Sequence, residues 1–563
     1  MSHSNSSSTI GRRTAAVVLV LCVLLPLASV RTAQPRFFAD DPLALEPESQ
    51  DASGAQPVDI NLAFDLTRAY FVTSRRESTG VRAGNVNTVD EVPDSSWFGN
   101  RIGARALSTD DLVTGPNVNP APDPSTWTIL REKSSGAAAG FTARDAGGAT
   151  WFVSFDAPSN PDGATGAIVV ATKLFWALGY NQVENHLSEL RRENLRIDPA
   201  ASVKRPSGRR TPMTDDDVDA VLARAKPGLN GAYRITAGRA LPGKILGGFR
   251  YEGTRPDDPN DVVDHEHRRE LRALRVFGAW TNLTDMKAGN TLDTLETAGG
   301  RGRIRHYLQD VGSTFGIGAN GPHDWSEGRE YVVQAGPALR RLFTLGFALS
   351  PWQTAHYESV PAVGPFDGDA FDAQGWRPRA PVLAYTEMRA DDGFWAARRV
   401  VAFSDESIRT AVSTGRYTDA RAASHLAHVL IARRDHIARF YLPAINPVVD
   451  VAFEPGGWLV FRNAAVDHAG AFGAAPLHRH VVRLRQRHQR LARTRRDDRR
   501  HDAAGGAGRS ARCRGRVRAG GPLRRPCRTP GLEPPGRELL PPRGIRVEAR
   551  RPGATAGQVI AHG

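Results

Sequence analysis

The chain has 563 residues, of which 40% are hydrophobic, 24% charged and 7% aromatic, a globular composition long enough for roughly two to four domains. Its formal charge of +14 sits almost wholly in the last stretch: residues 477–563 hold 23 Arg, no Lys and 6 acidic side chains, whereas residues 1–476 hold 51 basic against 54 acidic ones. The overall charge therefore gives no ground for a specific nucleic-acid partner. The chain has no thiol between Cys22 and Cys513, which excludes a disulfide framework, a Cys-based zinc site and a thiol nucleophile from the body.

Residues 1–33 have the pattern of an export signal. Arg12 and Arg13 precede an uncharged stretch over 14–30, and small residues follow it. That stretch is also at the lower limit for a spanning helix, so an uncleaved transmembrane anchor with membrane contact at the N-terminus is the alternative. In either case the body is expected to be exported: periplasmic, secreted or membrane-anchored.

Residues 34–125 are rich in Asp, Pro, Asn and Ser and predict an extended segment wrapping a domain, with one helix over 61–71 and with Trp97 and Phe98 packed inward. The next part, 126–255, is β-rich. Strands are predicted over 127–131, 141–144 and 151–156, with a small-residue loop over 133–140 between the first two. A helix over 165–179 ends at Gly179, and a second over 215–226 is capped by Thr214 with Asp217 at its third position. A hairpin is expected over 232–251 around Pro242 and Gly243. Residues 256–476 read as helical: 264–280, then 337–349 with Pro337 at its first position, then 404–413 and 419–441. Strands first and helices after predict an α+β fold in two lobes.

The tail, 477–563, uses no aromatic residue, although the body holds all 42 of them. Such a composition builds no core and predicts disorder. It also matches out-of-frame translation of a GC-rich gene. Back-translated with suitable codons, residues 477–488 read one base later as Tyr-Thr-Val-Thr-Trp-Phe-Ala-Tyr-Asp-Asn-Ala-Thr, a strand-like run ending in a turn. An out-of-frame tail predicts that a one-base shift near codon 477 opens a frame rich in aromatic residues; a genuine basic tail for nucleic acid or anionic lipid is the alternative.

The informative chemistry lies between Trp280 and Gly316. After the helix come Asp285, Lys287 and Asn290, and twenty residues on, behind a short strand at 306–308, Asp310-Val311-Gly312-Ser313. Phosphoryl transfer needs a carboxylate beside the attacking hydroxyl, oxygen ligands for Mg²⁺ and a cation near the transferring phosphate, and these residues supply the set in that order. Each also has a plainer reading: Asp285 as a turn carboxylate, Asn290 as a cap, Asp-x-Gly as a turn. The basic run Arg268, Arg269, Arg272 and Arg275 reads as a solvated helix face or a phosphate contact. Asp257–Asp261 with His265 and His267 reads as a solvated turn and cap or as a divalent-metal cluster.

These motifs resemble the catalytic loop and metal-binding motif of the protein-kinase-like superfamily, in its atypical bacterial and phosphatidylinositol-kinase-like branches. From about residue 37 to 476 the chain also resembles a group of large exported bacterial proteins, through Val92-Pro93-Asp94-Ser95-Ser96-Trp97-Phe98, Arg255-Pro256-Asp257-Asp258-Pro259-Asn260-Asp261 and residues 306–316, a resemblance that implies no activity. The kinase resemblance implies a bilobal fold with a small β-rich lobe and a helical lobe. It also implies ATP and Mg²⁺ as cofactors and an unknown protein or small-molecule acceptor as partner. In it Asp285 is the base, Lys287 steadies the γ-phosphate, Asn290 and Asp310 hold the metal, and the loop from Gly136 to Gly140 covers the phosphates. Two positions depart from the pattern. Ser154 stands where a third-strand Lys is expected, and Ile168 where the helix would carry a Glu. Lys133 is the nearby cation that reaches a phosphate from another direction, with Arg144 a weaker substitute. Without such a substitute the chain is a non-catalytic, pseudokinase-like binding module of the cell envelope.

Overall fold

The computed structural model describes residues 48–133, 138–205, 207–347, 349, 351–354, 358–454 and 458–467, with strand segments 480–485, 546–549 and 558–562. The N-terminal stretch 14–30 and Gly136 lie outside the described residues. Among the described residues no helix is long and apolar enough to cross a membrane. The chain forms two compact units, Met1–Asn446 and Pro447–Gly563.

The first unit opens with helix α1, Leu62–Phe71, capped by the Asn61 side chain, which accepts from the Phe64 N–H. Strands β1 (Trp127–Glu132), β2 (Gly140–Asp145) and β3 (Thr150–Phe155) form an antiparallel meander. Its alternating side chains explain the pairing: Trp127, Ile129, Phe141, Ala143, Trp151, Val153 and Phe155 are all buried in one core. Helix α2, Gly163–Leu178, follows. It is apolar and buried on nearly every side, and it packs on β3 and on two later strands, Asn185–Leu190 and Tyr233–Arg239. Four strands then run from Asn181 to Pro212: β4 (Asn181–Gln182), β5 (Asn185–Leu190), β6 (Leu195–Lys204) and β7 (Arg210–Pro212). After helix α3 (Asp215–Leu222), β8 (Tyr233–Arg239) completes a seven-stranded sheet in the order β5-β8-β3-β2-β1-β6-β7. Within this sheet, among the described residues, β1 and β6 are the parallel pair and the other neighbours are antiparallel.

The hairpin expected over 232–251 does not form. β8 pairs with β3 and β5, while β9 (Lys244–Gly247) pairs in a second sheet with β10 (Thr291–Ala298). Pro242 and Gly243 carry the chain from one sheet to the other. Gly243 has φ +82°, and a Cβ there would lie 2.3 Å from the Leu295 carbonyl oxygen, so the crossing requires glycine. The second sheet, β4-β11-β10-β9, includes β11 (Arg301–Leu308).

Helix α4 (Arg269–Thr281) lies between β9 and β10 in the chain, and α5 (Ala335–Phe343), α6 (Ala390–Val400), α7 (Asp405–Ser413) and α8 (Ala420–Tyr441) follow β11. Helices α4, α6 and α8 pack on one another, with Trp280 buried and donating from Nε1 to the Leu430 carbonyl at 2.8 Å. A sheet-rich region and a helical region form the α+β arrangement read from the sequence, except that β10 and β11 fall within the stretch 256–476 read as helical.

The basic face of α4 is corrected by the structure. Arg268, Arg269 and Arg272 are fully buried rather than solvated. Arg269 is paired with Asp392 at 2.9 Å and Asp391 at 3.1 Å, and Arg272 with Asp392 at 3.1 Å. Asp261 is buried as well. It accepts from Arg268 at 2.8 Å and lies 2.8 Å from His265 Nε2, so it is neither a solvated turn nor open to an ion. Trp97 stacks on His306 with ring centroids 3.5 Å apart, under the Arg268 guanidinium. The described part of the N-terminal segment, 48–125, is thereby fastened to the core by the motif the sequence singled out. Asp264, Glu266 and His267 do bring ligand-type atoms close together on the surface, but Glu266 accepts from the Gly253 N–H and His267 from Arg272.

In the second unit, β14 (Val448–Glu454) and β15 (Trp458–Asn463) are antiparallel, following two short strands Ile317–Gly318 (β12) and Gly321–Pro322 (β13) in the first unit. The tail expected to be disordered contributes three strands to this sheet, His480–Arg485, Arg546–Ala549 and Gln558–His562. The other tail residues lie outside the described ones.

Candidate functional site

Helix α4 ends because Asn282 adopts a left-handed conformation, φ 55°, which Asn tolerates better than most residues. Its Oδ1 accepts from Trp376 Nε1 at 2.9 Å, which fixes the exit direction. The chain then runs through Thr284 and Asp285 to a single 3₁₀ turn at Ala288–Asn290 before entering β10.

The loop is internally braced. Asn290 Nδ2 donates to the Asp285 backbone carbonyl at 2.7 Å, and the Asn290 carbonyl accepts from the Asp310 N–H at 3.1 Å. Asn290 is thus tied to Asp285 by a side-chain bond and to Asp310 by a backbone bond. The Asn290 amide nitrogen is committed, which leaves Oδ1 as its atom for a cation. Asp310 is exposed and uses one carboxylate oxygen to accept the Gly312 N–H at 3.0 Å. Asp285 is mostly buried; its Oδ2 is 2.7 Å from Lys287 Nζ and 3.6 Å from Arg379 Nη1.

Gly312 is required for a reason the motif alone does not reveal. A Cβ there would sit 2.5 Å from Ile168 Cγ1. Ile168 on α2 therefore presses on the Asp-x-Gly turn with an apolar side chain, at the position where a carboxylate was expected.

Lys133 directly follows β1, and its N–H donates to the Gly140 carbonyl at 3.0 Å, across the mouth of the small-residue loop. The side chain crosses the sheet surface, so that Nζ donates to Ser154 Oγ at 3.1 Å. The ammonium arrives at the third-strand position from the first strand. Among the described residues no carboxylate lies within ion-pair distance of it. Burial lowers its pKa, and the charge of Asp310 acts in the opposite direction. Gly140 is buried within β2, and a Cβ on it would meet the Val153 carbonyl oxygen at 2.1 Å. Close strand approach accounts for that glycine.

Arg379, Glu327, Thr284 and His323 escaped the sequence reading. Arg379 holds Glu327 through two hydrogen bonds, at 2.9 and 3.0 Å, and Thr284 Oγ1 donates to the same Glu327 at 2.7 Å. Ser313 Oγ and His323 Nε2 are hydrogen-bonded at 2.9 Å. His323 is buried and its pKa is pushed down to about 4, chiefly by desolvation. Arg379 is clipped to the loop by its N–H to the Thr284 carbonyl at 2.9 Å. Neither it nor Glu327 stands at a spacing from Asp285 that a motif would reveal.

No protein-family model matches the chain, and no curated protein matches it. Among solved structures it is similar to a crystal structure of the Golgi casein kinase with Mn/ADP bound, at 10% sequence identity and a TM-score of 0.29, over 79% of this chain and 93% of that chain. A TM-score that low assigns neither fold family nor function.

Proposed function

We propose that the chain is an exported, kinase-like protein whose site takes ATP with Mg²⁺ and passes a phosphoryl group to an unidentified acceptor. The observation that carries this reading is Lys133. Its half-buried ammonium has a hydroxyl for a partner, lies within the field of Asp310, and reaches the side chain of Ser154, where the third-strand Lys is missing. A desolvated cation without a carboxylate partner calls for an anion.

The donor set fits the cofactor. Asn290 Oδ1 and the Asp310 carboxylate are the hard oxygen ligands that Mg²⁺ prefers, and Lys133 is the phosphate-side cation. When bound, the nucleotide supplies the transferable phosphoryl group and the metal neutralises its charge. Asp285 accepts the proton of the acceptor hydroxyl, and Lys287 and Arg379 hold its carboxylate in one orientation. The acceptor class is not encoded by any of these residues.

One observation favours a second, non-catalytic reading. Ile168 supplies no carboxylate to orient Lys133, so the site can hold nucleotide without aligning it. Radiolabel transfer from γ-labelled ATP to the chain itself or to a general acceptor, with nucleotide binding measured in parallel, separates the two. In the catalytic reading Asp285→Asn abolishes transfer and leaves binding intact. Binding without transfer in the unaltered chain gives the non-catalytic reading, and absence of both removes the nucleotide site.

A further inference from the structure

Helix α5 exposes apolar side chains of the kind that an ordinary surface helix turns to the core. Leu339, Leu342 and Phe343, three and four residues apart, are all exposed, and Leu345 and Phe347 follow in the turn after the helix. Phe343, Leu345 and Phe347 are 81%, 83% and 88% exposed. Isolated exposed apolar residues are commonplace, but a run of this density marks an interaction surface.

The charge pattern identifies the partner. Between Glu330 and Glu358 the chain has no Asp or Glu, and its two fixed charges are Arg340 and Arg341. Arg341 is paired with Glu330 at 2.6 Å, whereas Arg340 is exposed and has no ion pair among the described residues. Over residues 335–349 the polar side chains are those two arginines and Thr344. A protein interface carries a polar rim with about ten hydrogen bonds, and this surface lacks the groups to make one. Leucine and phenylalanine beside unopposed arginine suit an anionic lipid surface.

We infer that α5 and the turn after it dock on an anionic lipid surface. Phe343, Leu345 and Phe347 enter the acyl boundary, and Arg340 meets the phosphate headgroups. This holds whether or not the site described above transfers phosphate.

The test is hydrogen exchange on the full chain, read at residues 335–349, with vesicles of phosphatidylcholine and phosphatidylglycerol against phosphatidylcholine alone. Reading the segment itself keeps any contribution of the N-terminal stretch apart. Exchange should slow with the anionic vesicles, and added salt should reverse the effect. Arg340→Glu removes one attractive charge and adds a repulsive one, so the segment's vesicle affinity should fall about thirtyfold. The double variant Phe343→Ser, Phe347→Ser should lose it while keeping the melting temperature, because both side chains are exposed. Exchange unchanged by vesicles would overturn the inference. So would protection that grows with protein concentration without lipid, which means a second copy, or protection already complete in the lipid-free monomer, which means the chain covers this face itself.

Discussion

Replacing Lys133 by Met tests the phosphate-side cation directly. The ammonium is half-buried, is held by Ser154 Oγ at 3.1 Å and has no carboxylate within ion-pair distance among the described residues. A charge-assisted hydrogen bond to a phosphate is worth about 1.5–3 kcal/mol, so Lys133→Met should weaken ATP binding about ten- to 150-fold. The nucleotide-free protein should respond in the opposite sense. Burial lowers the Lys133 pKa below 10.5, so the folded state holds its proton less tightly than the unfolded chain. The cation is therefore a burden at neutral pH, lifted as pH rises through the depressed value towards 10.5. Lys133→Met should melt no lower than wild type at pH 7, and any advantage should fade under alkaline conditions. Thermal melting with and without ATP and Mg²⁺ reads both effects. In the Lys133→Met background, Ser154→Lys returns a cation to the same place and should recover part of the binding. An ATP-dependent rise in melting temperature that survives Lys133→Met unchanged would refute the reasoning.

Three further outcomes follow from the packing. Gly312→Ala should destabilise by about 1–3 kcal/mol through its clash with Ile168, and Ile168→Ala should relieve most of that in a denaturant double-mutant cycle; purely additive effects would contradict the contact. Arg269→Met leaves Asp392 buried without one of its two arginines and should cost about 3–5 kcal/mol, measured by urea unfolding; a loss below about 1 kcal/mol would mean that the pair is not desolvated as described. His323 stays neutral down to about pH 4 when folded but takes its proton near pH 6.5 when unfolded, so it should remove roughly 3 kcal/mol of stability as pH falls between those values. His323→Gln should flatten that part of the acid-unfolding profile, and an identical profile in both proteins would exclude the buried neutral ring.

The β1–β3 meander and α2 were legible because alternating Trp, Phe and Val side chains followed by a small-residue apolar helix leave few other ways to bury so much apolar surface. Helices over Asp405–Ser413 and Ala420–Tyr441 were readable from their polar caps at Ser404 and Asp419. The arginines of α4 were misjudged for a reason of range. Their partners Asp391 and Asp392 lie more than a hundred residues away in sequence, and no local pattern announces a buried ion-pair network. The same holds for Arg379 and Glu327, which reach the loop only through the fold. The order Asp285, Lys287, Asn290, Asp310 was visible. That Lys133 ends on Ser154 depended on strand pairing, and the Ile168–Gly312 contact on how α2 seats against the turn.

Calorimetric titration of the full chain with ATP, in the presence and absence of Mg²⁺, tests the central claim most directly. The account predicts saturable binding at one site that requires Mg²⁺ and is lost in both Asp310→Asn and Asn290→Ala. No heat of binding, or binding that is indifferent to Mg²⁺ and survives both substitutions, would contradict it.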